Sequence, residues 1–554
     1  MAWLILSRKR RNIAHTTLSP NPSDIDGKPR VVNQWYLGTI EKLIELAEGN
    51  PSREDPREIL CQEHGSVAAL LDIAKELGIV EIVNSHVKKR KQGLSVGDYI
   101  LLAALNRAIA ASSKAQISEW VEETTLPLLL DIDTSKLSSQ NFWDHFDKID
   151  QDSVEKIGDS LARRAIELES INLDCLVYDT TNYYNYWDVT TESELARMTK
   201  SKAGKHHLKH IGLALAVDRD HGLPLFHRLY PANEHDSKVF SRLVSSLFSQ
   251  ISGMVNDKKG MTFVFDKGNN SEEAILMLDE SRHHYIGSRS PYHHKDVCRR
   301  SLETYQTIEL QNGDSVLAFE SVAELYGKQR RIVITYNESN YKRQLYRLEK
   351  NIERAKAELS FFKKRAKGAD GRSTLDSIDR NAREILERYH VNQYVGIDVE
   401  ELDEGFKVSA RQNFPAIEDA KTRFGKHILF TNRESLSMAE IIQYYRDRNI
   451  VEEAFKITKS DQWVKMDPAF HWTDSKIRVH ALTCILALLL VKIAHKRAVA
   501  KGFKHGVPRM MELLRGIKSA VLFYPQSTKP YRHLCSLSSD QNELLTILKI
   551  SAQP

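Results

Sequence analysis

Between Tyr444 and Lys459 the chain reads Tyr444-Tyr445-Arg446-Asp447-Arg448-Asn449-Ile450-Val451-Glu452-Glu453-Ala454-Phe455-Lys456-Ile457-Thr458-Lys459. Ile450, Ala454 and Ile457 fall at i, i+4 and i+7, the spacing of a buried helical stripe. At about 100° per residue, Tyr445, Arg448, Glu452 and Lys459 then project from one arc roughly 60° wide on the other side, while Glu453 points away from it. Taken alone, this seam also reads as a solvated face carrying i,i+3 and i,i+4 ion pairs. Two short apolar runs upstream each end in an aspartate. Cys175-Leu176-Val177-Tyr178 meets Asp179-Thr180-Thr181-Asn182, and Thr262-Phe263-Val264-Phe265 meets Asp266-Lys267-Gly268-Asn269. Both read as buried strands closed by turn residues, with the carboxylate at the carboxyl end.

The remaining pattern alternates between helix and strand. Val67, Leu70, Leu71, Ala74 and Leu77 keep a helical period up to Gly78, and a second helix from Ser95 carries Tyr99, Leu101, Leu102, Leu105 and Ile109. Ile211 to Val217 predicts a strand, Asp218 to Gly222 a turn, and Leu223 to Tyr230 its hairpin partner. Ser237 to Phe248 reads as a helix. The long interval from Asp266 to Glu452 holds strand-like segments at Tyr285-Ile286-Gly287, Arg331 to Tyr336, Phe406 to Ala410 and His427 to Asn432. A charged helical region from Tyr341 to about Arg388 is broken there at Gly368-Ala369-Asp370-Gly371. That helical pair reads as a DNA-facing arm, a dimer contact or a solvent-exposed hairpin. The apolar run Ala481 to Val491 is short of the ~20 residues that cross a bilayer and predicts a core helix.

Length changes the picture first, because 554 residues exceed one core and imply three or four domains. We place a small strand region at 1–50, a helical domain at 51–165, an α/β domain at 166–286 and 426–500 with an insertion at 287–425, and a helical tail at 501–554. The basic run Arg8-Lys9-Arg10-Arg11 suits either DNA backbone or a solvated tail. The short helices of 51–165 fit a helix-turn-helix module or a plain bundle, since no helix face alternates Arg, Asn or Gln as a base reader would. Composition is that of a globular protein, 41% hydrophobic and 28% charged, and 79 basic against 74 acidic residues give a net charge of +5 that permits nucleic-acid binding without requiring it. Five scattered cysteines include no Cys-x-x-Cys pair, which predicts neither a disulfide framework nor a zinc ribbon and suits a reducing cytoplasm. His206, His207, His210, His293, His294 and Cys298 do not supply four ligands at zinc spacing. The opening segment does not have the order of a signal peptide.

Asp179, Asp266 and Glu452 are candidates for one acidic site. Three carboxylates together repel unless a cation lies between them, and an all-oxygen donor set selects a hard divalent ion, Mg²⁺ with Mn²⁺ as substitute. A pair of such ions is a common means of cleaving or transferring phosphodiesters. The aromatic run Tyr183-Tyr184-Asn185-Tyr186-Trp187 beside Asp179 suits core packing or nucleobase stacking.

The spacing Tyr445-x2-Arg448-x3-Glu452-x6-Lys459, with both aspartates upstream in order, resembles the branch of bacterial insertion-sequence DDE transposases that carries a Tyr-Arg-Glu-Lys signature. The resemblance covers roughly 170 to 500. It implies an α/β catalytic core of ribonuclease-H-like fold, interrupted by a β-rich plus helical insertion domain and preceded by a helical N-terminal region. It also implies Asp179, Asp266 and Glu452 as catalytic metal ligands, and Tyr445, Arg448 and Lys459 as DNA-binding residues beside the reacting phosphate. Expected partners are double-stranded DNA, as terminal inverted repeats and target, and a second copy of the chain in a synaptic homodimer near the nucleoid. Relatives that pass through a DNA hairpin use a tryptophan in the insertion, whereas none of the seven tryptophans lies between 287 and 425. A metal-dependent nuclease that cuts without joining and an inactive DNA-binding protein are the competing readings.

Overall fold

The computed structural model describes residues 3–9, 12–18, 31–39, 55–88, 93–186, 190, 192–199, 204–252, 260–311, 313–367, 373–403, 405–467, 471–525 and 530–551. The chain forms two compact units, one of Met1–Asn256 with Asn449–Pro554 and one of Asp257–Arg448.

In the first unit, Cys175–Asn185, Lys209–Asp218 and Pro224–Pro231 form an antiparallel meander, with Arg197–Met198 on the far end of the middle strand. The predicted Asp218 to Gly222 turn is held by the Asp218 carboxylate, which accepts from the amides of His221 at 2.8 Å and Leu223 at 2.6 Å, and Gly222 supplies a φ of 71°. Helices Gly65–Leu77, Val96–Ala110 and Gln151–Glu169 surround Asp474–Val499. Ser95 caps the second of these reciprocally with Asp98, and the first ends at Gly78 in the left-handed region, as their patterns predict. Asp474–Val499 is the one helix among the described residues long and apolar enough to cross a membrane, yet it is almost wholly buried within this unit. It runs well beyond the predicted Ala481 to Val491 because its polar residues are satisfied internally. The Lys476 ammonium donates to Trp143 O at 2.7 Å and pairs with Asp147, and Lys496 and Arg497 both reach the buried Glu169 carboxylate.

One expectation changes in this unit, and the small strand region expected over 1–50 is present as strands. The C-terminal region is not purely helical, because Lys518–Phe523 pairs with Tyr531–Leu534 and with Glu58–Glu63 to make a three-stranded antiparallel sheet. The N-terminal strands Trp3–Lys9, Asn12–Leu18 and Val31–Thr39 form a second one, and Arg10 and Arg11 of the basic run lie outside the described residues.

The second unit is built on a mixed sheet. Thr262–Phe265 runs parallel to His284–Arg289 across the helix Glu272–Glu280, and His284–Arg289, Lys426–Thr431, Lys328–Tyr336, Ser315–Leu325 and Gln306–Glu309 then continue antiparallel. Strands of the 287–425 segment thus extend the sheet that carries Asp266. Buried Arg330 grips Asp279 bidentately, both contacts at 2.8 Å, fastening strand to helix. The predicted helical pair is Glu338–Lys367 and Leu375–Arg388, and the break at 368–371 lies outside the described residues. Together with Val395–Glu401, Phe406–Gln412 and Phe414–Lys421 it encloses its own apolar core, which includes Ile352, Leu359, Ile385 and Phe406.

Candidate active site

The single helix expected over 444–459 is two helices, Met438–Arg446 and Asn449–Thr458. No Gly or Pro breaks it. The Gln443 amide donates to Asp447 Oδ1 at 2.7 Å, and the Arg448 amide reaches back only three residues, to Tyr445 O at 3.4 Å, so the ladder tightens and stops. Tyr445 therefore sits on one helix, Arg448 in the turn, Glu452 on the next helix and Lys459 one residue past its end. The four do not share one arc of a continuous helix.

In the second unit, Asp266 follows Thr262–Phe265 directly, at the carboxyl end of a fully buried strand as its sequence predicts. The Tyr445 phenol donates to Asp266 Oδ1 at 2.9 Å and shares a hydrogen bond with Ser288 Oγ at 2.8 Å. Arg448 lies 3.6 Å from the same Oδ1, with its guanidinium 5.0 Å from the Tyr445 ring centre. Burial pushes the Asp266 carboxyl up, but the Arg448 charge, the Lys267 amide and the Tyr445 hydroxyl outweigh it and hold it below the usual carboxylate range. Burial raises the Tyr445 phenol well above its ordinary value, so it stays protonated and able to donate. His427, its ring centre 5.1 Å from that of Tyr445, is pushed down to about 4 by burial and Arg448, and is neutral near pH 7. Tyr445 is only 6% exposed, and its hydroxyl is turned to Asp266.

In the first unit, Asp179 does not end its strand. Cys175–Asn185 continues through it in register with Lys209–Asp218, Asp179 opposite Leu215 and Asn185 opposite Lys209. The Asp-Thr-Thr-Asn run has turn composition, but cross-strand pairing and the β-preferring Thr and Tyr residues win. At Asp179 the strand passes from fully buried to half-buried positions. Strand alternation puts Asp179, Thr181 and Tyr183 on one face. Lys459 Nζ donates to Thr181 Oγ1 at 2.5 Å and lies 5.1 Å from the Tyr183 ring centre, and Tyr183 shares a hydrogen bond with Thr458 Oγ1 at 2.6 Å. The end of the Glu452 helix is thereby seated on the face that carries Asp179. Glu452, seven residues before Lys459, projects within roughly 20° of it and about 10.5 Å back along the helix axis. Glu452 is half-buried and Glu453 exposed. Burial pushes the nearby Asp467 carboxyl up to about 7 against the opposing pull of Lys459.

Of the aromatic run, Tyr183 is core, whereas Tyr184 and Tyr186 meet edge to face at 5.5 Å under Lys205, and Trp187 lies outside the described residues. Ser288, His427 and Asp467 carry no sequence signal of their own. Thr181 does, as the second threonine of the Asp-Thr-Thr element. The acids are divided, Asp179 and Glu452 in one unit and Asp266 in the other. Among the described residues, no three His, Cys, Asp or Glu side chains are gathered as a metal-holding group. The donor set itself suits a hard divalent cation, since all three are carboxylates and Asp266 is held ionised.

In the second unit Arg448 lies at Asp266, and in the first Lys459 reaches the strand face that carries Asp179. The family model for the transposase DDE domain matches residues 187–490, more than half of the chain, and the chain belongs to that family. The matched segment starts beyond Asp179 and takes in Asp266, Tyr445, Arg448, Glu452 and Lys459. No curated protein matches the chain by sequence. Among solved structures, the cryo-EM structure of the piggyBac transposase synaptic complex with hairpin DNA is 10% identical, covers 81% of this chain and 78% of its own, and superposes with a TM-score of 0.36. The Mos1 transposase paired-end complex with left transposon end is 12% identical, covers 35% of this chain and 59% of its own, and has a TM-score of 0.15. Scores this low give neither likeness any weight for fold or function.

Proposed function

We propose that this DDE transposase cleaves the ends of an insertion sequence and joins them to target DNA by metal-dependent phosphoryl transfer, with Asp179, Asp266 and Glu452 as its catalytic acids. The chain would belong to the branch carrying the Tyr-Arg-Glu-Lys signature, with a ribonuclease-H-like core and an insertion between Asp266 and Glu452. The observation that carries the reading is the company each aspartate keeps. Tyr445 and Arg448 engage Asp266 directly, and Lys459 is anchored to Thr181 on the Asp179 strand face. Residues dispersed through the sequence thus gather at Asp266 and on the strand face that carries Asp179.

The three carboxylates would hold divalent cations, Mg²⁺ or Mn²⁺, which when bound supply Lewis acidity at the scissile phosphodiester. Arg448 keeps Asp266 ionised, as a ligand must be, and Tyr445 fixes the orientation of that carboxylate through its hydroxyl. Arg448 and Lys459 place positive charge where phosphate oxygens gather negative charge, so they bind DNA backbone and not bases. In the first reaction a water oxygen bonds to phosphorus, the bond from phosphorus to the element's 3′ oxygen breaks, and a 3′-hydroxyl is released. In the second that hydroxyl attacks a target phosphodiester, displacing a target 3′ oxygen that takes up a proton. Joining two ends together calls for a homodimer on double-stranded DNA.

Incubating the protein with end DNA, a target plasmid and Mg²⁺ tests this, because joined products appear only with strand transfer. Cut ends without joining would mean a nuclease, and neither would mean an inactive DNA-binding protein. Asp179→Ala is expected to lose cleavage while retaining end binding; unchanged cleavage would remove Asp179 from the mechanism.

A further inference from the structure

The long helix Glu338–Lys367 of the second unit buries one stripe against its own small core, through Leu348, Ile352, Ala355 and Leu359. On the side turned away from that stripe, Arg343, Arg347, Lys350, Arg354, Phe361 and Arg365 fall within an arc of roughly 60° at about 100° per residue. All six are exposed, Phe361 to 69%. No acid lies in this arc. Glu349 and Glu353 project to its flank, and Glu358 is turned to the second helix, where its oxygens take Arg388 at 2.6 Å and Tyr389 at 2.9 Å. A helix face that serves only solubility mixes both signs in i,i+4 pairs. Here Arg343, Arg347, Lys350 and Arg354 follow one another at i+4, i+3 and i+4, like charges that work against the helix unless an anion meets them. Among the described residues no ion pair engages Arg347, Arg354 or Arg365.

From Arg343 to Arg365 the row spans about 33 Å, close to the ~34 Å of one turn of duplex DNA. A row of cations of that length with an exposed aromatic matches a polyanionic backbone and offers nothing that reads a base edge. We infer that this face is a docking surface for the phosphate backbone of double-stranded DNA, separate from the residues around Asp266. It rests on the transposase reading only in that DNA is the substrate at hand.

The test is binding of the full chain to a duplex of about 40 base pairs and arbitrary sequence, measured from low to moderate salt. The variant replaces Arg343, Arg347, Lys350, Arg354 and Arg365 by Gln, and a companion replaces the four arginines by Lys. Exposed glutamines leave the helix intact, which circular dichroism checks. Each phosphate contact contributes about 0.9 to the slope of log K against log salt, so the glutamine variant is expected to lose between about 2 and 4.5 from that slope while the lysine variant keeps it. A loss below about 2 overturns the inference, as does an unchanged slope with an altered oligomeric state, which makes the face a contact between copies. Wild-type protein that binds neither this duplex nor end DNA refutes the transposase reading as well, whereas wild type and variant binding this duplex alike, or wild type binding end DNA but not this duplex, refutes only this surface.

Discussion

Replacing Tyr445 by Phe removes one oxygen from the most tightly defined part of the candidate site. That oxygen donates to the ionised Asp266 at 2.9 Å and meets Ser288 at 2.8 Å. A hydrogen bond to a charged group contributes about 1.5–3 kcal/mol net. The Asp266 side chain is 36% exposed, so solvent screening puts this one near the lower end, about 1.5 kcal/mol. Ser288 is fully buried, and the loss of its partner adds about 1 kcal/mol. Tyr445→Phe should therefore destabilise the second unit by about 2–3 kcal/mol, read as a fall of roughly 5–8 °C in its melting transition. The pH dependence identifies the source. Asp266 has a folded-state pKa below its unfolded value, so its contribution is present above the unfolded pKa and is lost as pH falls through the folded one. The gap between wild type and Tyr445→Phe should be widest near pH 7 and narrow below about pH 4. Calorimetry across that range measures it. Equal stability at pH 7, or a gap that persists undiminished in acid, would refute a phenol that supports the Asp266 carboxylate.

Asp279→Ala should cost about 3–5 kcal/mol in denaturant titrations, because it strands the buried Arg330 charge, and with it the strand that extends the Asp266 sheet. Asp467 has its pKa raised to about 7 by burial, so its contribution favours folding at low pH and is lost as pH rises from about 4 to 7; Asp467→Asn should flatten the melting temperature over that window. Cys61, pushed down to about 7 by the Cys535 thiol 3.9 Å away with help from Lys518, should be alkylated by iodoacetamide at pH 7 well before buried Cys175, Cys298 and Cys484, as peptide mass spectrometry would show.

Local pattern was most legible where it is self-sufficient. The Thr262–Phe265 strand, the helix start at Ser95, Gly78 and the Asp218 to Gly222 turn each carry their own signal in a few adjacent residues. The reading failed where distant partners decide. The strand through Asp179 continues because Lys209–Leu215 lies beside it, although Asp-Thr-Thr-Asn has turn chemistry. Lys518–Phe523 is a strand because Glu58–Glu63, at the other end of the chain, pairs with it. The break at Asp447 and Arg448 has no Gly or Pro to announce it and depends on a side-chain hydrogen bond from Gln443. That Tyr445 and Arg448 belong beside an acid was legible through their spacing, and both lie at Asp266. Their roles were not, since nothing in the sequence directs the Tyr445 hydroxyl inward to Asp266 and Ser288.

The claim on which the rest depends is that Asp179, Asp266 and Glu452 hold the same divalent cations. Titration of the full chain with Mn²⁺ in the presence of end DNA, followed by electron paramagnetic resonance, tests it with Asp179→Asn, Asp266→Asn and Glu452→Gln. Each single substitution should weaken the same Mn²⁺ binding by tenfold or more, and pairs of substitutions should cost less than the sum of their parts. If any one of the three leaves Mn²⁺ binding as it is in the wild type, that residue does not share the site, and the three-acid account is wrong.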